Sequence, residues 1–150
     1  MIIDSLNEFC DATALSTAAT GIANVGNIID LGAAHRDIGN GEDVYLVIQV
    51  DTAVTSAGAA TVEFDLVSDS TTTIAVDGSA TVHWRSAAIP KATLVAGYTM
   101  VVELPNEAPT YERYLAVQQN VGTAALTAGK INAFLVKDKY GWQAYADAVN

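Results

Sequence analysis

At 150 residues the chain fits one domain, and folding at this length removes roughly 70% of the unfolded chain's surface, enough for a core without staples. Seventeen acidic residues against seven basic give a formal net charge of -10, so nucleic acid and anionic membranes would be repelled at long range and are not expected partners. The composition is 51% hydrophobic but only 7% aromatic, with much of the apolar share in Ala and Val, which suits the thin core between two facing sheets.

The first residues, Met1-Ile2-Ile3-Asp4-Ser5-Leu6-Asn7-Glu8-Phe9, lack the basic start and apolar run of a signal peptide. No apolar run approaches the ~18 residues of a membrane span, so synthesis and assembly in the cytoplasm are expected. Cys10 is the single cysteine, which rules out an intrachain disulfide and a cysteine-based zinc site and leaves it the role of a small buried hydrophobe. Residues Asp11 to Ala23 are rich in Ala, Thr and Ser. Thr13, Thr17 and Thr20 are poor choices for a helix interior, so a β or coil path is expected.

A strand is read from Asn27 to Leu31, followed by a polar loop from Ala33 to Asp43. Val44, Leu46, Ile48 and Val50 then alternate with Tyr45, Val47, Gln49 and Asp51, the pattern of a strand with one dry face. Val62, Phe64 and Leu66 alternate with Glu63 and Asp65, which read as solvent-facing. Val82 and Trp84 alternate with His83 and Arg85; Met100, Val102 and Leu104 with Val101 and Glu103; Leu115, Val117 and Gln119 with Tyr114, Ala116 and Gln118; Ile131, Ala133 and Leu135 with Asn132, Phe134 and Val136. Asn40-Gly41, Asp77-Gly78, Pro90, Ala96-Gly97, Pro105-Asn106, Pro109 and Ala128-Gly129 supply the turns between them. At least seven short strands with regular turn signals imply an all-β, antiparallel sandwich, with an eight-stranded jelly roll as its natural closure. Its domain is expected over 1–139 and a tail over 140–150. The expected core is Val44, Leu46, Ile48, Val50, Val62, Phe64, Leu66, Val102, Leu104, Leu115 and Val117.

Catalytic constellations are scarce. His35 lies near Asp30 and Asp37 but offers a single imidazole where a metal site needs three or four converging ligands. There is no Gly-X-Ser-X-Gly elbow, and Gly39-Asn40-Gly41 lacks the Lys and Ser/Thr of a phosphate loop. No catalytic residue, cofactor or metal is expected. The tail keeps Tyr140, Trp142 and Tyr145, which suit either an interface anchor or a fold-back onto a sheet edge or open end.

The segments Leu31 to Glu42, Val47 to Ala53, Ala57 to Thr61, Ile89 to Tyr98 and Glu112 to Leu115, taken in their order and spacing, resemble the jelly-roll cement (decoration) proteins of short-tailed bacteriophages, over roughly Ile2 to Lys137. The resemblance implies a non-enzymatic protein on the outer capsid surface of the virion. It would bind an HK97-like major capsid protein, bridge neighbouring capsomers and stabilise the shell. A homo-oligomer is expected, a dimer before a trimer. On this reading the capsid contacts fall to His35, Asp37, Glu42 and Asp43 in the acidic loop and to Trp142 and Tyr145 in the tail. The alternatives are a carbohydrate- or receptor-binding sandwich of a tail fibre or spike, using Trp84, Trp142, Tyr98 or Tyr140, and a small hydrolase on the same scaffold.

Overall fold

The structure is a computed structural model and describes residues 5–32, 38, 41–105 and 110–138. After a single 3-10 turn, Ser5–Asn7, the described chain forms β1 (Glu8–Ala14), β2 (Gly21–Asp30), β3 (Tyr45–Thr55), β4 (Thr61–Asp69), β5 (Thr81–Arg85), β6 (Ile89–Pro90), β7 (Thr99–Glu103), β8 (Tyr114–Gly122) and β9 (Ala128–Val136). All pairings are antiparallel. One sheet has the order β1-β9-β3-β7. The other runs β2-β8-β4-β5, with the two-residue β6 added to β4.

The chain therefore changes sheet from β1 to β2, from β2 to β3 and from β3 to β4, then again on entering and leaving β7 and between β8 and β9. That winding is the jelly roll: seven of its eight main strands overlap those read in the sequence, β1 is the eighth, and β6 is a short addition. The physical cause is the alternation in the sequence: β3, β4, β8 and β9 each have an apolar row that must face a second sheet. Phe9, Leu46, Ile48, Val50, Val62, Phe64, Leu66, Leu115, Val117, Ile131, Ala133 and Leu135 meet in one cluster between the sheets. Of the expected core, Val44 and Val102 are half-buried; Val44 lies just before β3, its carbonyl accepting the Leu104 N–H, and Val102 sits on the edge strand β7.

Three expectations need correction. β3 does not have one dry face: Tyr45 to Val50 are buried without interruption, on a strand that lies inside its sheet between β9 and β7. Asp65 is not solvent-facing, being 0% exposed. Strand structure also begins earlier than Asn27, at Glu8. Phe9 and Cys10 are both buried, and register shifts on either side of Cys10 with Ala12 at φ 43 interrupt the alternation that would have shown β1 in the sequence. Cys10 fills the expected role. Its burial pushes the thiol pKa up to about 12, and its Sγ donates weakly to the Ile131 carbonyl at 3.6 Å.

Candidate functional site

The jelly roll brings the β2–β3 and β7–β8 connections and the end of β9 to one end of the sandwich. Antiparallel register places Asp30 opposite Tyr114, and Tyr45 opposite both Glu103 and Val136. Asp30, Glu42, Asp43, Glu103 and Glu112 lie at this end with Arg113 and Lys137.

Its charges are held in light pairs. Arg113 donates through Nε and Nη2 to the two Asp30 carboxylate oxygens at 2.8 and 2.7 Å, and its guanidinium carbon stands 4.9 Å from the centre of the Tyr114 ring. The Arg113 hydrogen bonds, reinforced by the Gly32 N–H, hold the Asp30 carboxyl at about 2, below the usual carboxylate range. Glu42 pairs with Lys137 and both side chains are exposed; Asp43 accepts the Tyr45 hydroxyl at 3.3 Å. Exposed pairs of this kind add little to stability, because water and salt screen them.

Of the expected contact residues, Glu42 and Asp43 are exposed and adjacent on this end. His35, Asp37, Trp142 and Tyr145 lie outside the described residues, as does Tyr140. Among the described residues no group of three or more His, Cys, Asp or Glu side chains could hold a metal ion. Trp84 and Tyr98, candidates for a glycan platform, are partly buried and pack against the main core.

A cluster that sequence reasoning did not find lies just inside the same end. Ser68 Oγ and His83 Nε2 are 2.7 Å apart, and the His83 ring stacks on Tyr111 with centroids 3.9 Å apart. Ser68 Oγ also accepts the Glu112 N–H at 3.0 Å, while Thr81 Oγ1 donates to Glu112 Oε1 at 3.3 Å. Burial pushes the Tyr111 phenol up to about 12. A nucleophilic serine needs room for a carbonyl beside it, whereas Ser68 is 0% exposed with its oxygen already engaged from two sides. What the cluster does is fasten the segment before β8 to β4 and β5. No local motif announces it, because the β4–β5 pairing alone brings positions 68 and 83 together.

On the outer face of the five-stranded sheet, Arg85 donates to both Asp65 oxygens at 2.8 and 2.7 Å, and the fully buried carboxylate is thereby neutralised. Beside it Gln118 donates to Asn24 Oδ1 and to the Ala75 carbonyl, both at 2.8 Å. Ile74 and Ala80, on the β4–β5 connection, cover Val67 and Ala116 on the same face. Arg85→Ala would strand a buried negative charge. The expected loss is about 2 kcal/mol, less than for a fully buried pair because part of the guanidinium faces water. Denaturant titration checks it, and adding Asp65→Asn should recover part of the loss.

Comparison with curated proteins finds no match to this sequence. The Bbp16 family, by contrast, matches residues 9–135, from Phe9 in β1 to Leu135 in β9, and so spans nearly all of the strands of the two sheets. The chain belongs to the Bbp16 family.

Proposed function

We propose that this protein is a capsid cement protein, a non-enzymatic jelly roll that decorates the outside of a phage shell and bridges neighbouring capsomers. The observation that carries the reading is the acidic end. Exposed carboxylates at Glu42 and Asp43 project from a rigid sandwich, with Glu42 held by an exchangeable lysine pair. The resemblance of the sequence to phage decoration proteins supplies the partner, the major capsid protein.

The physics of such a role favours many modest contacts over one tight one. A copy that touches two capsomers makes its second contact intramolecularly, which raises retention without a large single interface. Net negative charge keeps free copies soluble and apart before docking, and complements arginine or lysine on the shell. A homodimer across a capsid twofold is the assembly we propose, since equivalent capsomers present self-complementary surfaces. Placement on the virion surface, after synthesis in the host cytoplasm, belongs to the same reading.

Charge reversal tests it. Glu42→Lys combined with Asp43→Lys should lower occupancy on purified shells, and the deficit should shrink as salt rises and screens the contact. Equal occupancy of variant and wild type at low salt would remove these residues from the contact. A glycan array run on the same preparation separates this reading from the fibre or spike alternative, for which specific glycan capture is the expected outcome.

A further inference from the structure

One end of the sandwich is free of acidic residues. Antiparallel register sets Ala14 beside Lys130, Thr55 beside Ala128, Gly21 beside Val121, and Thr61 beside both Gly122 and Pro90; the Leu94 carbonyl accepts the Val54 N–H at 2.9 Å. The four connections 15–20, 56–60, 91–98 and 123–127 therefore meet at the end opposite Glu42 and Asp43, and all of them lie within the described residues. They contain no Asp or Glu in a chain that has seventeen, and Lys91 is their single charged residue. Asp11, Asp51 and Glu63, the carboxylates next in line, stand inside β1, β3 and β4. What the end exposes is Ala18, Ala57, Ala92 and Ala125 among threonines, with Val95 53% exposed. Hydrogen bonds fix its shape. Buried Gln119 accepts the Ser16 N–H at 2.8 Å and donates to the Ser16 carbonyl at 3.0 Å. Ser56 Oγ donates to the Ala125 carbonyl at 2.6 Å, and the Lys91 N–H to the Ala60 carbonyl at 3.0 Å.

We propose that this end is the contact for a second copy of the chain, the two sandwiches meeting end to end about a twofold axis. Charge selects that occupant. Each copy carries a formal net charge of -10, so two copies repel unless the surfaces that meet carry no carboxylates. Contact through a sheet face or edge would bring Asp51, Glu63 or Glu103 of one copy toward the acidic groups of the other. Contact through the four connections does not. It also puts the acidic ends at opposite poles, roughly 70 Å apart given ~3.3 Å per residue along the 11 residues of β3 in each copy. That separation is far beyond the ~8 Å over which exposed charges act at physiological salt. Size and stiffness agree. The exposed and half-exposed residues of the four connections number about 20, the low end of what one side of a stable interface uses. Alanine and glycine lose no side-chain entropy on docking, and connections already tied by hydrogen bonds lose little backbone freedom. The proposal rests on the cement reading only for its consequence, that each pole of the dimer is free to dock one capsomer.

Sedimentation equilibrium of the full chain alone tests it. Wild type should form a dimer whose affinity changes little between low and high salt, because no carboxylates face one another across the contact. Ala57→Asp combined with Ala125→Asp, both at exposed positions, should weaken the dimer by roughly a hundredfold, since like charges then meet at the interface. Ala87→Asp, exposed on the β5–β6 connection at the side of the sandwich, should leave it unchanged. Should the double variant lose the wild-type urea midpoint, Val95→Asp makes the same test from a different connection. A wild-type chain that stays monomeric up to millimolar concentration would overturn the proposal. So would a dimer that survives the new charges at this end, or one that tightens steeply with salt, which would place acidic surfaces at the contact. No shell enters the measurement, so failure here leaves the charge-reversal test of Glu42 and Asp43 standing, and failure of that test leaves this contact standing.

Discussion

Gly26→Ala is expected to be among the most damaging single substitutions in the chain, costing about 3 kcal/mol or more. Gly26 sits in β2 at φ +74, where an L side chain costs roughly 1–2 kcal/mol. An added Cβ would stand 2.1 Å from the Phe9 carbonyl oxygen and 2.5 Å from Cys10 Cβ. Neither is the free end of a flexible side chain, so β1 and β2 must separate at the corner where they cross between sheets, and overpacking of this kind adds about 1–3 kcal/mol. Gly78→Ala is the control: its φ is +90 but nothing lies within 4 Å of the new Cβ, so the backbone cost alone applies. Urea titrations of the two variants should differ clearly in midpoint. Equal midpoints would show that the β1–β2 crossing is not close-packed.

Phe64→Ala is the second large effect, expected at about 3–5 kcal/mol. The side chain is 0% exposed at the middle of β4, opposite Gln119 of β8. The main cluster around it draws on both sheets, with Leu66 and Val117 from one and Leu46 and Ile131 from the other. Rigid strands on both sides leave the cavity little freedom to collapse, which puts the expected cost toward the top of the range. A loss below about half a kcal/mol in a denaturant titration would mean that β4 turns its other row inward.

How far the fold is legible in the sequence depends on whether alternation is intact. β3, β4, β8 and β9 show it plainly, and Leu46, Ile48, Val50, Phe64, Leu66, Leu115 and Val117 are buried as their spacing predicts. β1 is not legible, because its bulges around Cys10 shift the register, and the early part of β2 carries polar Asn24 and the bend at Gly26. Burial of both faces is also invisible to a pattern of period two. Val47 and Asp65 occupy the outward positions of their strands, yet both are 0% exposed, and the arginine that meets Asp65 comes from another strand, 20 residues away. For the candidate site, the acidic character of the loop is written in Glu42 and Asp43. The pairs that complete that end, Asp30 with Arg113 and Glu42 with Lys137, span 83 and 95 residues of chain. Only the jelly-roll winding brings them together.

The acidic end and the sandwich have different duties in this account: one makes the contact, the other holds its carboxylates at fixed spacing while the shell is loaded from within. Contacts built from exposed pairs are weak singly. A cement role therefore requires many copies, each bridging two capsomers. The copy number per particle, by quantitative mass spectrometry of purified virions against the major capsid protein, tests that requirement most directly. A cement protein should stand at a ratio near parity with the capsid protein; a handful of copies per virion would rule that role out and place the protein in a tail or fibre.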